Sequence, residues 1–348
     1  MCMYSAVEGV AQPWHTMHVG SMAVSGAALV IMEATGVEPE GRISPGCLAL
    51  YNDAQEAALT DLRQSIRSYC DTPIGIQLAH AGRRGSAKIP WSTNRSNSLS
   101  VDEGGWETSA PSALPFTPGG PIPKELDRSG MQRVKHAFVQ AALRADRCGF
   151  DAIEIHGAHG YLLHSFVSPL SNLRTDFYGG DFENRIRFPL EVVSAIRAVW
   201  PKYKMMGIRI TGDDWHPKGT NIEETVVYAR RLKEVGVDYV VVSGGNSAPD
   251  INIPPSTPGY MVSYASRVKA GAAIPTMAVG MILTPDQANN IVAKSEADLV
   301  CIARGALDDP RWVWHAAAAL GESFEYPQPY VRAGAEKWPG YKVVHPKL

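Results

Sequence analysis

The 348-residue chain is 45% hydrophobic and 20% charged, which is enough apolar sequence to fill one large α/β barrel or two ordinary domains. Its formal net charge of −2 excludes a basic field directed at nucleic acid or at an acidic membrane surface. The five cysteines form no Cys-x-x-Cys pair, no apolar run reaches transmembrane length, and the first residues show no signal-peptide pattern. We therefore expect a reduced, cytoplasmic protein without a cysteine-held metal site and without nucleic-acid or membrane partners.

Short apolar runs recur along the chain and predict parallel strands. Each run is continuous rather than alternating, as expected for strands that are buried on both faces. The runs are residues 27–33, 73–80, 151–156, 204–211, 238–243, 275–279 and 298–303.

Helical patterns separate these runs. The first three cover about residues 14–26, 53–70 and 129–149. Asp53 and Glu56 are predicted to cap the second helix, and Gly149 ends the third. Thr284-Pro285 and Asp309-Pro310 each predict a helix start, with an N-cap side chain followed by a first-turn proline.

Strict alternation of seven strands with eight helical segments predicts a parallel sheet with crossover helices. The counts favour an α/β fold of the (β/α)8 barrel type that lacks its first strand, with residues 1–9 forming the loop after that strand. A doubly wound open sheet is the alternative, but the GxGxxG that usually follows its first strand is absent from the sequence. Because a barrel without strand one would expose unpaired backbone groups, we expect the sequence to be incomplete at its start.

The predicted domain organisation is a barrel over residues 1–321 and a tail over residues 322–348. One connection, residues 84–127, is rich in Pro, Gly and Ser and follows what would be strand three of the complete barrel. A connection of that length in a compact domain is usually a lid or a subdomain. Trp91 and Trp106 within it either cover a pocket or anchor the loop.

The segment HGAHGYLLH, residues 156–164, places three of the ten histidines directly after a predicted strand, where barrels carry their working residues. Zinc would need a third ligand besides His156 and His159, and simple core packing is a further alternative. We favour a pair of hydrogen-bond donors to one oxygen that becomes negative during a reaction. Tyr161 is then a candidate proton source, and His164 is predicted to be structural.

Two later strand ends carry Val279-Gly280 and Ala303-Arg304. Loops after strands seven and eight of a barrel commonly bind phosphate through backbone N–H groups and a helix N-terminus. Gly280 would let the backbone approach closely, and Arg304 would supply a fixed charged fork. The alternative is a plain turn at Gly280 and a surface ion pair at Arg304.

Several stretches together resemble the old yellow enzyme family of FMN-dependent ene-reductases, in its bacterial thermophilic-like, xenobiotic-reductase branch. They are MCMYSA, EGRISPG, IGIQLAHAGRR, APSALPF, IEIHGAHGYLLHSFVSPLSNLRTDFYGGDFENRIRF and ARGALDDPRW. The resemblance covers essentially the whole chain and implies a (β/α)8 barrel that holds FMN at the carboxyl ends of its strands. It also implies that NADPH or NADH reduces the flavin, which then reduces an activated C=C bond.

The resemblance implies roles for individual residues. His156 and His159 would hold the carbonyl or nitro oxygen of the substrate, and Tyr161 would donate the proton. Arg209 would stabilise the negative charge of the reduced flavin, and Cys2 would tune its redox potential. The other implied flavin contacts are Met1, Ala34, Gln77, Val279, Gly280, Ala303 (where many relatives have Gly) and Arg304, and the implied substrate contacts are Tyr4 and Arg332.

The expected reaction is the ping-pong reduction of enones, nitroalkenes or nitro compounds, all small molecules. A nitrate-ester or nitroaromatic reductase would use the same site, whereas a metal-dependent barrel hydrolase and an inactive flavin-binding remnant are alternatives from other classes. The aromatic tail predicts packing, either on its own barrel or across a dimer interface. In the second case, as the resemblance implies, Arg332 reaches the active site of a second copy in a homodimer or a tetramer of dimers.

Overall fold

The structure, a computed structural model, describes residues 1–92 and 98–344. Residues 93–97 of the predicted insertion and residues 345–348 of the predicted tail lie outside the described residues. The described strands are β1 Val30–Gly36, β2 Ile74–Ala79, β3 Ser109–Ala110, β4 Lys124–Glu125, β5 Ala152–Gly157, β6 Met205–Thr211, β7 Tyr239–Ser243, β8 Thr276–Ala278 and β9 Leu299–Val300. The described α-helices are α1 Pro13–Ala23, α2 Asp53–Arg67, α3 Arg128–Arg147, α4 Leu162–Val167, α5 Phe182–Arg185, α6 Arg187–Val199, α7 Ile222–Glu234, α8 Val262–Ala272, α9 Pro285–Ala293, α10 Arg304–Asp308, α11 Trp312–Ala319 and α12 Tyr341–Val344.

One parallel sheet contains seven of these strands, in the order β1-β2-β5-β6-β7-β8-β9. Their spatial order is their chain order, and at least one helix lies in every crossover. Each strand lies in one of the predicted apolar runs or overlaps it, so the arrangement is that of an α/β barrel. Within the described residues, the ladder ends at β1 on one side and at β9 on the other.

The main core lies between the sheet and the helices that cover it. Ile74, Ile76 and Leu78 of β2 are fully buried in that core together with Val134 and Phe138 of α3. Because side chains alternate along a strand, the same strand turns Gln77 to the opposite, inward face. The alternation therefore supplies both the core and the inner lining of the barrel.

The start of α2 corrects one prediction, because its cap is Asn52 and not Asp53 or Glu56. The Asn52 side chain accepts the backbone N–H of Gln55 at 3.0 Å, and the Gln55 side chain accepts the backbone N–H of Asn52 at 3.3 Å. This reciprocal pair satisfies two backbone donors that a helix start otherwise leaves unpaired.

We expect Asn52→Ala to lower the free energy of unfolding by about 1 kcal/mol, the usual cost of losing a side-chain cap. Urea unfolding followed by circular dichroism would measure the change. Gln64→Ala, at an exposed position of the same helix, is the matched control. Equal destabilisation by both substitutions would contradict the capping role.

Two further predicted helix starts have different outcomes. Thr284 caps α9 as predicted, accepting the N–H of Gln287 at 3.2 Å ahead of Pro285. The prediction at Asp309 is wrong, because α11 begins only at Trp312. The Asp309 carboxylate instead bonds the N–H of Arg311 at 2.9 Å and stabilises the turn before the helix.

The insertion has a two-stranded sheet of its own, β3 with β4, and it packs on the barrel through Trp106. The indole N–H of Trp106 donates to the carbonyl of Glu40 at 3.1 Å, and the Arg42 guanidinium lies 5.1 Å from its ring centre. Trp106 therefore anchors the loop, as one of the two predicted alternatives stated.

The tail packs against its own chain through aromatic rings. Trp314 of α11 lies 5.7 Å from Phe324, 4.9 Å from Tyr326 and 5.6 Å from Tyr330, measured between ring centres. The tail's aromatic content is thus explained at least in part by docking on α11. Among the described helices, none has the length and apolar character needed to cross a membrane.

Candidate active site

Adjacent strands bring several of the predicted site residues side by side. Ala34 of β1 pairs in register with Gln77 of β2, and Gln77 pairs with Glu154 of β5. Two residues further along β5, His156 pairs with Arg209 of β6. In a parallel sheet these partners share one edge of the barrel, so residues far apart in the sequence line a single pocket.

His156 and His159 lie together where β5 ends. Their ring centres are 5.2 Å apart and their planes are nearly perpendicular, at 80°. His156 is buried, and His159 has positive φ, at 59°, within the turn that leads to α4. The left-handed turn directs the second ring back towards the first.

Both imidazoles are neutral in this environment. Burial, followed by the positive charge of Arg209, holds the pKa of His156 and of His159 well below the ordinary range. A neutral imidazole carries one N–H donor and one acceptor, so each ring can offer one hydrogen bond to a ligand.

Hydrogen bonds orient both rings and place the proton of His156. Nδ1 of His156 accepts the N–H of Ala158 at 3.3 Å, which leaves the proton on Nε2. Nε2 of His159 lies 2.8 Å from Ser243 Oγ, which also accepts a donor of Arg209 at 3.4 Å. The contact with Ser243 holds the His159 ring in place.

Tyr161 completes this group of aromatic side chains. Its ring centre is 4.8 Å from that of His156, and the Arg84 guanidinium lies 4.9 Å from it. Burial raises the pKa of Tyr161 to about 12, against the opposing charge of Arg84. The phenol therefore keeps its proton at neutral pH. Arg84 itself bonds the carbonyl of His159 and ties the start of the insertion to the pocket.

His164 makes contacts that fit its predicted structural role. Nδ1 accepts the N–H of Gly160 at 2.8 Å, and Nε2 lies 3.2 Å from the buried carboxylate of Asp214. Its contacts hold the turn that carries His159.

Glu154 is a buried carboxyl that the sequence analysis missed. It accepts a hydrogen bond from the Gln77 amide at 2.5 Å. Burial raises its pKa, while the charge of Arg209 and the bond from Gln77 oppose the rise. The sequence did contain a signal for Glu154. Side chains alternate along a strand, so Glu154, two residues before His156, lies on the same inward face of β5.

The N-terminal segment lies against the same pocket. The N–H of Met3 donates to Glu33 at 2.9 Å, and the N–H of Ala6 donates to the carbonyl of Gly46 at 2.9 Å. Interaction with a second thiol, Cys47, which no motif had pointed to, and burial raise the pKa of Cys2. Met1 precedes this pair and is exposed.

Tyr4 meets the insertion. Its ring centre lies 5.7 Å from that of Trp91 in an edge-to-face contact. Trp91 is thus next to a predicted pocket residue and not only a loop anchor. Burial raises the pKa of Tyr4, so this phenol is also protonated at neutral pH.

The predicted phosphate residues follow two paired strands, because Ala278 of β8 and Val300 of β9 are in register. Gly280 has φ of 103°, and a Cβ there would meet the Met261 side chain at 2.9 Å. Only glycine fits that backbone and that space. Val279 is buried, whereas Ala303 and Arg304 at the start of α10 are exposed, with backbone and guanidinium donors open to a ligand.

Arg332 is not part of this pocket within one chain. It lies exposed in the 3-10 helix Gln328–Ala333, which packs beside α11 through Tyr330. Among the described residues, no group of three or more His, Cys, Asp or Glu side chains is arranged to hold a metal ion.

A profile of the NADH:flavin oxidoreductase / NADH oxidase family matches residues 1–322. The chain belongs to this family, that of the old yellow enzymes. The family resemblance seen in the sequence is thereby confirmed. The comparisons also confirm the (β/α)8 barrel fold, FMN as the cofactor and a nicotinamide as the hydride donor. This old yellow enzyme is an NAD(P)H:flavin oxidoreductase.

Individual relatives agree with this assignment. The NADPH dehydrogenase of Geobacillus thermodenitrificans (strain NG80-2) is 41% identical over 335 residues, covering 95% of this chain and 92% of the relative. The NADPH dehydrogenase of Listeria innocua serovar 6a is 40% identical over 336 residues, covering 96% and 93%.

Solved structures show the same barrel. Morphinone reductase in complex with tetrahydroNAD is 25% identical with a TM-score of 0.74, covering 94% of this chain and 87% of that chain. A 2-naphthoyl-CoA reductase complex has a TM-score of 0.82 at 21% identity, and this chain spans 54% of its length. At that identity the second comparison supports the fold alone.

Proposed function

We propose that this flavin oxidoreductase reduces C=C bonds activated by a carbonyl or nitro group, with hydride from NADPH or NADH in a ping-pong cycle. The observation that carries the proposal is the pair of neutral imidazoles formed by the buried His156 and the partly buried His159. Two N–H donors directed into one pocket suit an oxygen atom that gains negative charge as the neighbouring C=C bond is reduced.

The inner face of the sheet fits FMN. Among the described residues, the buried Nε of Arg209 has no hydrogen-bond partner, which suits an acceptor on the flavin ring. Gln77 and Ala34 line the same edge, and Met1 and Cys2 are further proposed flavin contacts. Val279, Gly280, Ala303 and Arg304 would hold the phosphate through backbone N–H groups and one guanidinium. Bound FMN supplies the hydride chemistry.

The protein's own residues would orient and protonate the substrate. Nε2–H of His156 and the ring of His159 would bind its oxygen and polarise the double bond. Tyr161, held protonated by burial, would give a proton to the carbon opposite the hydride. The Arg84 guanidinium, over the Tyr161 ring, would stabilise the phenolate that remains after proton transfer. Tyr4 would line the pocket beside Trp91.

A substrate panel tests this function directly. Purified holoprotein would be given NADPH or NADH with cyclohexenone, a nitroalkene, a nitroaromatic and a nitrate ester, and nicotinamide oxidation and products would be followed without oxygen. Saturated ketone from cyclohexenone supports the proposal. Turnover of only the nitroaromatic or the nitrate ester would replace it by the reductase alternative, and no turnover of any acceptor would overturn it.

We further propose a cytoplasmic homodimer, or a tetramer of dimers, in which Arg332 completes the site of a second copy. Trp14 and Met17 of α1 are exposed large apolar residues, and Trp338 of the tail is another. A groove of about 1060 Å³ runs between α1, α2 and Tyr330. Apolar surface of this kind supports an interface, and two-fold symmetry would make the exchange reciprocal.

Arg332→Ala is expected to raise KM for the enone roughly tenfold, equivalent to about 1.4 kcal/mol of lost binding, with flavin content unchanged. The guanidinium would contact substrate and not FMN. Steady-state kinetics and the ratio of flavin to protein absorbance measure the two quantities, with exposed Lys337→Ala as the control in the same tail. An unchanged KM in a monomeric protein would contradict the proposal.

A further inference from the structure

Glu33 of β1 is a buried carboxylate to which the chemistry proposed above gives no role. Met32 pairs in register with Ile76 of β2. Ala34, two residues further along β1, pairs with Gln77, the very next residue of β2, so Glu33 is the extra residue of a β-bulge. Bulges are rare between parallel strands and are concentrated next to active sites, where they redirect a side chain.

The backbone at this bulge is satisfied within β1 itself. Because the extra residue of a bulge is left out of the ladder, its carbonyl needs another donor when it is buried. The Thr35 hydroxyl donates to the Glu33 carbonyl at 2.9 Å, and both residues are buried. The bulge is thus a stable feature of the strand, and the Glu33 side chain is available to segments outside the sheet.

Two segments contact the Glu33 carboxylate. Oε2 accepts the backbone N–H of Met3 at 2.9 Å, and Oε1 lies 3.5 Å from Nε2 of His15 in α1. Nδ1 of His15 accepts the N–H of Gln12 at 2.9 Å, which leaves the proton of the ring on Nε2, the nitrogen that faces Glu33. The contact with Met3 is a hydrogen bond of good length, whereas the longer one with His15 is mainly electrostatic.

The bond from Met3 is one of two that hold the N-terminal segment, residues 1–6. The other runs from the N–H of Ala6 to the carbonyl of Gly46 at 2.9 Å. Between them Tyr4 has φ of 50°, a left-handed conformation that persists only where the surroundings fix it. A Cβ added to Gly46 would lie only 2.7 Å from the Tyr4 carbonyl oxygen, so the two segments are closely packed at this point.

We infer that Glu33 is a positioning residue, which fixes the N-terminal segment so that Tyr4 and Cys2 are held at the active-site pocket. Glu33 acts through the backbone of Met3 and contacts neither substrate nor FMN itself. The roles of Tyr4 and Cys2 in the pocket rest on the proposed function, but the anchoring of the segment does not. Without the carboxylate, the Met3 N–H would lose its acceptor and one of the two bonds that fix Tyr4 would be absent.

Alkylation of Cys2 measures the position of the segment without using the reaction. Trypsin cleaves after Arg42, so the peptide of residues 1–42 carries Cys2 and no other cysteine. In holoprotein with excess FMN, we expect Glu33→Ala to raise the rate of Cys2 alkylation by iodoacetamide about tenfold, because the segment opens more often once this bond is lost. Cys70, a partly buried thiol elsewhere in the chain, should react at its unmodified rate.

Two further variants separate anchoring from general loosening. The amide oxygen of Glu33→Gln can still accept the Met3 N–H, although its NH₂ group then faces the N–H of His15, so its alkylation rate should lie between those of the unmodified chain and Glu33→Ala. Glu8→Ala removes an exposed carboxylate close to the same segment and should change neither thiol. An unchanged rate at Cys2 in Glu33→Ala, or an equal increase at Cys70, would overturn the inference.

Steady-state kinetics connect the anchor to the pocket. Glu33→Ala should raise KM for cyclohexenone more than it lowers kcat, because Tyr4 would line the substrate side of the pocket, and Glu8→Ala should change neither quantity. Faster alkylation of Cys2 with both constants unchanged would overturn the role of Glu33 at the active site. Faster alkylation of Cys2 alone, in a protein that turns over no acceptor, would support the anchor and overturn the proposed function instead.

Discussion

His156→Ala is expected to lower enone turnover by roughly 10²–10³-fold, the usual effect of removing one donor to a developing oxyanion. The Nε2–H of His156 would bind the substrate oxygen most strongly when that oxygen carries charge, so kcat falls more than binding. Flavin content should change little, because His156 is not among the proposed flavin contacts. Anaerobic single-turnover oxidation of the reduced enzyme by cyclohexenone would measure the step.

Two matched variants support the interpretation of that experiment. His136→Ala removes an exposed histidine of α3 and should leave turnover unchanged. His159→Asn keeps an N–H donor and should retain more activity than His159→Ala. Unchanged turnover in His156→Ala would contradict the assigned role, as would activity in the unmodified protein that depends on added zinc.

The strands were predictable because the physical signal is local. The run of residues 238–243 has a continuous apolar centre, as expected for a short strand that is buried on both faces. Helix starts were less predictable. Asp309 precedes a proline, as a helix cap often does. Its carboxylate instead contacts the N–H of Arg311 and the ring of His315, and the helix begins later. Competition between side chains for one acceptor does not appear in a local pattern.

The residues of the site also differ in how far the sequence could predict their contacts. His156, His159 and Tyr161 belong to one short segment, so their proximity could be inferred from the sequence. Ser243, which orients His159, and Cys47, which raises the pKa of Cys2, come from a distant strand and a distant loop. Their contacts depend on the register of the barrel and on the course of the N-terminal segment, which a single sequence does not specify.

Asp214 shows how much of the site's support comes from such distant contacts. Its carboxylate is fully buried and accepts hydrogen bonds from Ser168 Oγ at 2.6 Å and from the N–H of Thr220 at 2.8 Å, besides its ion pair with His164. Burial alone would raise its pKa, but the charge of His164 and these hydrogen bonds outweigh burial and lower the pKa to about 2. The carboxylate thus connects the turn that follows the histidine pair to the loop after β6.

Asp214→Ala is therefore expected to lower the free energy of unfolding by about 3–5 kcal/mol, the usual effect of breaking a buried ion pair and leaving its partners unsatisfied. Because the folded pKa lies below the ordinary value, the stabilisation is complete above about pH 4 and is lost as the pH falls towards 2. The difference between the urea midpoints of the two proteins should therefore become smaller in acid. Asp250→Ala removes an exposed carboxylate 3.8 Å from His216 and should change stability by less than about 0.5 kcal/mol. Two results would contradict this role of Asp214. One is an equal loss of stability in the two variants, and the other is a loss in Asp214→Ala that is the same at every pH.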